Sequence, residues 1–584
     1  MARFRSITLF ALTLYLLSPL TGCQRPSPTN ASGVSFIDVA TQAGVARIYS
    51  THFKPNIPLS ILETIGHGGA FLDYNNDGNL DILLVDVHLA LYEGDGRGHF
   101  TDVTHAVGLD KLTGHFLGCT VGDYDNDGYE DIYISGYHTG LLLHNEAAGI
   151  TLKKDRAKDH TPRSTSKFRR SKASERVFRD VTVQAGLRPQ AWGSSCGFVD
   201  LDGDGLLDLV IANYVEFGPD PKKYVQLCEP LACSPQSYKP ERPTFYRNLG
   251  HGRFRDETAV SGMAASNGNG LGVAFADYDN DGRQDVLFAN DETPGDLFQN
   301  KGGGRLDNVG TSAGVAFGPE GRVHGGMGAD WADYDGDGNL DVIVTTYANQ
   351  PKSLYRNGGN GIFTDVSKVT GIGNITAPYV AFGVKWLDYD NDGWPDLLIA
   401  NGNVDNNISI ILPDHHYRET PQLLRNMGAT AHGGQVTFTD VSKQVGIALQ
   451  RPIVGRGLAI GDFNNDGRID ALIIENDGPV MLLQNTGGKI GNWIGLTLIG
   501  TGRSNRDAIG ARVTVQAGGH SQVREVQTSG SYLSASDRRL LFGIGTATHV
   551  DKVTLRWPDG QTEDLAPPAI NTYHTVREHA HPGR

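Results

Sequence analysis

Four aspartates fall within nine residues at Asp277, Asp279, Asp281 and Asp285, and Gly282 lies between the last two. Carboxylates that close repel one another unless a cation sits among them. Alternate positions along a tight turn aim their oxygens to one side, and glycine at the sixth position permits the sharp reversal. The chemistry this spacing offers is coordination of a hard, oxygen-liganded ion, Ca2+. The loop is not an EF-hand: it closes on aspartate at position 9, not on a later glutamate, and amphipathic helices do not flank it.

The same pattern, acidic at positions 1, 3, 5 and 9 with glycine at 6, occurs seven times. Its other members are Asp123, Asp125, Asp127 and Asp131; Asp200, Asp202, Asp204 and Asp208; Asp333, Asp335, Asp337 and Asp341; and Asp388, Asp390, Asp392 and Asp396. In the first copy, Asp73, Asn75, Asp77 and Asp81, and in the last, Asp462, Asn464, Asp466 and Asp470, asparagine replaces aspartate at position 3. These 28 positions predict about seven calcium sites and hold 26 of the 66 acidic side chains. Seven divalent ions would nearly cancel the formal charge of −15. The acidity is therefore matched to metal, and it argues against a nucleic-acid partner.

The elements that must hold these loops are short. "GVAFAD" before and "DVLFAN" after the loop at 277 read as strands buried on both faces, so the loop caps a β-hairpin. A second phrase, "FTDVSKVTGI" at 363 and its relatives at 36, 100, 178, 254, 306 and 438, also recurs seven times. A third, of the form "LYRNGGNGIF", leads from one unit into the next with Asn-Gly turn chemistry. Seven strand-rich units with 75 glycines in 584 residues predict an all-β chain closed as a seven-bladed β-propeller over 36–487. An open solenoid is the other architecture that such repeats allow.

The calcium phrase and its companion resemble the FG-GAP or VCBS repeat, the blade type of the integrin α-subunit propeller. "NRDAIGARVTVQAGG", "VREVQTSGSYLSASDRRLLFGIG" and "VDKVTLRWPDG" resemble the ASPIC/UnbV domain. The combination is similar to the cartilage-acidic-protein-like family. That resemblance implies calcium-binding blades and, at 488–570, a small β-sandwich packed on the last blade, followed by a tail at 571–584. Asn505, Arg506, Tyr532 and Ser534 match polar positions of the domain pattern, with either ligand-lining or hydrogen-bonding roles.

The amino terminus sets the compartment. Residues 1–22 carry Arg3 and Arg5 and then an apolar stretch, in the order of a secretory signal. "LTGC" resembles a bacterial lipobox, which implies lipid attachment at Cys23 and, with Gln24 next, the outer membrane of a Gram-negative cell. Residues 23–35 read as a tether. Extracytoplasmic calcium is plentiful enough to fill weak sites. Cys228 and Cys233 can close a small disulfide, while Cys119 and Cys196 fall on equivalent strands and are either bridged or buried thiols. The basic insertion 151–177 is either a polyanion contact or a solvated loop.

No catalytic residue stands out. His67, His115 and His324 precede calcium motifs at unequal offsets, which favours scattered structural roles over a transition-metal cluster. Two functions fit the pattern. The first is a calcium-stabilised, extracytoplasmic binding or adhesion module that presents a propeller face to a protein or glycan. The second is an enzyme or accessory protein in secondary metabolism or glycan processing. A convergent pocket with titratable groups beyond the calcium aspartates would separate them.

Overall fold

A computed structural model describes residues 33–49, 57–148, 176–218, 228–429, 435–488 and 490–579. The signal segment, Cys23, most of the tether and the basic insertion up to residue 175 lie outside them. No described helix is long and apolar enough to cross a membrane.

Each acidic loop joins the first two strands of a four-stranded antiparallel sheet. In the fourth sheet these strands are Gly270–Ala276 and Asp285–Asn290, buried along their whole length, followed by Asp296–Asn300 and Leu306–Asn308. The continuous apolar runs are thus explained by neighbours on both faces. Seven such sheets occur among the described residues. Their first strands are Gly69–Leu72, His115–Gly122, Gly193–Val199, Gly270–Ala276, Ala329–Ala332, Ala381–Leu387 and Gly455–Gly461. These strands pack neighbour against neighbour, the seventh against the first, so the ring closes as a β-propeller and not as an open solenoid.

Closure swaps one strand. The "FTDV" phrase forms the outer strand of each sheet, and its first copy, Ser35–Asp38, pairs antiparallel with Met481–Thr486 in the seventh sheet, Phe36 opposite Asn485. The chain start therefore completes the last sheet. Phe36 is fully buried there.

The C-terminal domain has two sheets. Asn492–Ile499 lies between Leu540–Gly545 and Tyr573–Arg577, while Arg512–Ala517 and Lys552–Arg556 form the centre of the other. Ile494, Leu496, Val513, Val515, Phe542 and Trp557 fill the core between them. Two expectations need correction. Tyr573–Arg577 pairs in parallel with Asn492–Ile499, so the domain runs past residue 570 and those residues are not a tail. Nor does the domain pack on the last sheet alone: its core continues into Phe198 and Leu207 of the third sheet, and it spreads over the loop end of the ring.

The reason is a segment, 527–537, that enters the centre of the ring. Gly530 donates to Val273 and Ser531 to Ala329, Cys119 and Phe71 donate to Leu533 and Ala535, and Thr120 donates to Thr528. The Ser195 hydroxyl accepts from Leu533, the Ser531 hydroxyl from Val384, and the Ser536 hydroxyl from Ile460. One segment is thereby bonded to the inner strands of all seven sheets. Small residues make the approach possible: a Cβ on Gly68 would lie 1.8 Å from the Leu533 carbonyl oxygen. At its tip Tyr532 is fully buried among Leu271, Met327 and Phe382.

Candidate metal centre

The loop at 277 shows how the sequence builds a site. The two carboxylate oxygens of Asp277 accept from the backbone of Asp281 and Gly282 at 2.9 and 3.0 Å. Asp285, at the start of the second strand, accepts from Tyr278 at 3.3 Å and from Asn300 at 2.7 Å. One oxygen each of Asp277, Asp279 and Asp285 comes within 4.8 Å of the others. Comparable groups form at Asp123, Asp125 and Asp127; at Asp200, Asp202 and Asp208; and at Asp333, Asp335 and Asp341. The repeat therefore brings together the residues its spacing had singled out.

Two features of each loop escaped the sequence reading. Position 4 also has a left-handed backbone, with φ between 54 and 61° at Asn76, Asn126, Asn280, Asn391 and Asn465, and glycine at 203 and 336. Asparagine tolerates that conformation better than most residues, and its amide then reaches the next loop: Asn76 donates to Gly128 at 2.6 Å, Asn126 to Gly205 at 3.0 Å and Asn391 to Gly467 at 2.9 Å. The asparagine of the "YRN" phrase has a second role. Asn145, Asn248, Asn300, Asn357, Asn426 and Asn485 each donate at 2.7 to 2.9 Å to a carbonyl at position 2 of the preceding loop. Their fixed place near the end of the third strand was the available signal. It was read as turn chemistry.

Electrostatics supply the test of fit to a cation. The position-9 aspartates, Asp81, Asp131, Asp208, Asp285, Asp341, Asp396 and Asp470, are all fully or almost fully buried. Burial pushes most of them well above the ordinary carboxylate range, and neighbouring carboxylates add to the shift. Asp131 rises to about 7 for the same first reason, although His144 opposes it. Buried oxygens are also left without a hydrogen-bond partner: Asp131 Oδ2, Asp202 Oδ1, Asp333 Oδ1 and Asp390 Oδ1. Desolvated, mutually repelling, under-satisfied oxygen donors are what a hard divalent ion would satisfy. The donor set fits Ca2+, which when bound would supply the missing positive charge.

The remaining candidates have structural roles. Cys228 and Cys233 are joined in a disulfide, and Cys119 and Cys196 are buried free thiols. His67 lies 2.9 Å from the Phe116 carbonyl, whereas His324 is across the ring against the Tyr355 hydroxyl, so the three histidines form no common centre. The Asn505 side chain brackets the backbone of Ile509, and the Tyr532 hydroxyl donates to Ile65. The Ser534 hydroxyl accepts from Gly69. Arg506 lies 3.9 Å from Asp123, one of several contacts that dock the C-terminal domain on the acidic loops. Others join Arg556 to Asp277 and Tyr573 to Asp462.

Comparison with known proteins agrees with this organisation. The model for the FG-GAP-like repeat matches residues 73–134, 232–288, 277–344 and 333–399, and the model for ASPIC and UnbV matches 500–582. Cartilage acidic protein 1 of Xenopus tropicalis is 24% identical over 533 residues, covering 87% of this chain and 73% of the relative. Its Homo sapiens counterpart is 25% identical over 515 residues, covering 85% and 69%. Among solved structures, an Agrocybe aegerita lectin aligns at TM-score 0.37 and 14% identity, covering 71% of this chain and 86% of that one. YCF48 bound to D1 peptide aligns at TM-score 0.36 and 10% identity, covering 75% and 99%. The chain is a ring of FG-GAP-like repeats with a C-terminal ASPIC and UnbV domain, homologous over most of its length to cartilage acidic protein 1.

Proposed function

We propose that this protein is a calcium-stabilised, extracytoplasmic binding module, held to a membrane through a lipid on Cys23, that presents one face of its ring to a protein or glycan ligand. The observation that carries the reading is the set of buried aspartates in the loops, whose repulsion and unpartnered oxygens call for a divalent cation. Asp73, Asp123, Asp200, Asp277, Asp333, Asp388 and Asp462, with their partners at positions 3, 5 and 9, would hold it. The work of the ion is structural: it cancels carboxylate repulsion and orders the turn, so that ring and binding face share one stability.

The C-terminal domain occupies the loop end of the ring, which leaves the opposite end for a ligand. There, beyond the second strand of the sixth sheet, Ile410, Ile411 and Leu412 are 62, 47 and 41% exposed, and Ile57, bonded to Asn406, is 52% exposed. Apolar groups collected this way suit a protein contact. The test is bound metal per molecule together with melting temperature before and after chelation. About seven ions and a large reversible loss of stability are expected; little calcium and no shift would overturn the reading.

One observation favours the second reading, an enzyme or accessory protein. At the same end of the ring a cavity of about 230 Å³ is lined by Tyr214, Asp291, Glu292, Tyr347 and Asp405, with no basic side chain. Burial pushes Asp291 up to about 7, and the Tyr214 hydroxyl donates to it at 2.6 Å. A group poised there suits acid or base chemistry. Turnover of an oligosaccharide panel that is lost in Asp291→Asn would support this reading. Turnover unaffected by the substitution would exclude it.

A further inference from the structure

The residue immediately before each "YRN" asparagine, or before Gly94 in the first sheet, lies on the third strand, beside position 3 of the loop in its own sheet. From the first sheet to the seventh it is Glu93, His144, Arg247, Gln299, Arg356, Arg425 and Gln484. In five sheets it is a donor that meets an aspartate. Gln299 donates to Asp279 Oδ2 at 2.6 Å, Arg425 lies 3.0 Å from Asp390 Oδ2, and His144, which is hydrogen-bonded to Asp131 at 3.1 Å, lies at an ion-pair distance of 3.7 Å from Asp125 Oδ2. Arg247 and Arg356 pair with Asp202 Oδ2 and Asp335 Oδ2. All three arginines continue to position 5, reaching Asp337 at 2.6 Å, Asp392 at 3.0 Å and Asp204 at 3.8 Å.

In the first sheet both halves of this pairing change, whereas in the seventh only position 3 changes and the third-strand residue is a glutamine, as in the fourth sheet. Position 3 is Asn75 or Asn464, and the third-strand residue is Glu93 or Gln484. Glu93 turns away and accepts from the Tyr74 hydroxyl at 2.5 Å. Among the described residues no hydrogen bond or ion pair joins Glu93 to Asn75 or Gln484 to Asn464.

The pairing in the other five has a direction. The donor faces Oδ2 in each; in Asp125, Asp279 and Asp335 the Oδ1 oxygen accepts the position-5 backbone N–H at 3.2 to 3.3 Å. In Asp202 and Asp390, whose side chains are 2 and 4% exposed, Oδ1 is buried without a partner while Oδ2 meets an arginine. A carboxylate held by its outer oxygen is already aimed when the ion arrives, and groups that orient ligands in this way are typically worth about 10- to 100-fold in metal affinity. In the first and seventh loops no third-strand donor meets position 3 among the described residues, and each loop offers one carboxylate fewer.

We propose that the seven candidate sites form two classes: five in sheets 2 to 6, where a third-strand donor presets the position-3 aspartate for Ca2+, and two weaker ones in sheets 1 and 7. The inference rests on the calcium reading above. Because the seventh sheet packs against the first, the two weak sites are neighbours across the join of the ring. Falling calcium therefore empties that join first.

The test is calorimetric and equilibrium-dialysis titration of the full chain with Ca2+ alone, with hydrogen exchange followed at intermediate calcium. Two phases are expected, five ions binding at least tenfold more tightly than the last two. Arg356→Met should move one ion from the tight class to the weak one, and Arg356→Gln, which restores the contact Gln299 makes, should return most of it. The double variant Asn75→Asp with Glu93→Arg should move one ion the other way. Seven ions in a single class, or tighter binding in Arg356→Met, would overturn the two-class inference and leave the calcium reading standing. Binding of no calcium at all would overturn both.

Discussion

The join between the seventh and first sheets and the six joins between consecutive sheets use one repeat and are held by different means. At each of the six, an asparagine of the later sheet donates across to the loop of the earlier one. At the closing join the corresponding residue is Gly94. It keeps the backbone half of the arrangement, donating to Asp81 at 2.9 Å. A side chain is excluded, because a Cβ there would lie 2.1 Å from the Leu80 carbonyl oxygen. The position-4 contact weakens as well: the Asn465 amide reaches the first loop through the Asn79 side chain at 3.4 Å, while its oxygen accepts from Arg539 of the C-terminal domain at 2.6 Å. What replaces the missing bonds is the exchanged strand Ser35–Asp38. The ring is thus latched at every join made in chain order and fastened by strand exchange at the one join between chain ends.

Removing calcium should have the largest effect, and it should not fall evenly. With the loops empty, buried aspartates keep values above those of the unfolded chain, about 6 at Asp200, Asp390 and Asp462 and about 7 at Asp131 and Asp333. Burial is the leading cause at each. Between the unfolded value of about 4 and these folded values the native state binds more protons, so metal-free stability is highest near the acid end and declines as pH rises to about 7. Calcium needs the deprotonated carboxylates, so its stabilisation grows over the same interval. Melting temperatures in chelator and in calcium should therefore diverge from pH 5 to pH 8. Equal curves would show that the loops do not hold metal. Proteolysis in chelator should start beside the closing join, and cleavage spread over all seven sheets would erase the contrast.

Next in size is the exchanged strand. Phe36 and Phe438 are equivalent residues on outer strands, opposite Asn485 and Asn426. Truncation of either to alanine should cost about 3 to 5 kcal/mol from lost burial and a cavity. Phe36→Ala should cost more than Phe438→Ala in chemical denaturation, because it also loosens the strand exchange that helps fasten the closing join. A smaller loss in Phe36→Ala would mean that the join is held mainly by the central segment.

The latches come third. Asn426→Ala removes bonds to the Tyr334 and Pro395 carbonyls, and leaving such groups unpaired costs about 1 to 3 kcal/mol each. The reverse change, Gly94→Asn, should destabilise as well, since the Leu80 carbonyl blocks the side chain. If Gly94→Asn stabilised the protein in thermal melts, the steric account of the missing latch would be wrong.

How much of this could be read beforehand depended on whether a feature was local. The acidic loops and the buried hairpins were legible because positions 1, 3, 5, 6 and 9 act within one turn and recur. The latch asparagines were visible as a conserved place in a phrase, but their partners lie in the preceding sheet, at separations such as 71 residues between Asn145 and Tyr74. Sequence spacing does not encode such pairs. Least legible was the central segment. "QTSGSYLSASD" has the small polar composition of a surface loop, and nothing in it announces that seven inner strands converge on it. The clue lay elsewhere, in glycines such as Gly68 and Gly457 that leave room for its approach.

That segment yields the last and smallest prediction. It touches the inner strands of the first and seventh sheets as it does the others, so it is the element that treats all joins alike. The Tyr532 hydroxyl donates to Ile65 at 3.1 Å, and the ring is buried against Phe382 at 4.9 Å between centroids. Tyr532→Phe keeps the packing and removes one buried hydrogen bond, for a loss of about 1 kcal/mol. Because the segment is shared, this loss should lower protection throughout the inner strands without favouring the closing join, as hydrogen exchange at saturating calcium can show. A loss of protection confined to the first and seventh sheets would instead make Tyr532 part of the fastening of that join, alongside the strand exchange.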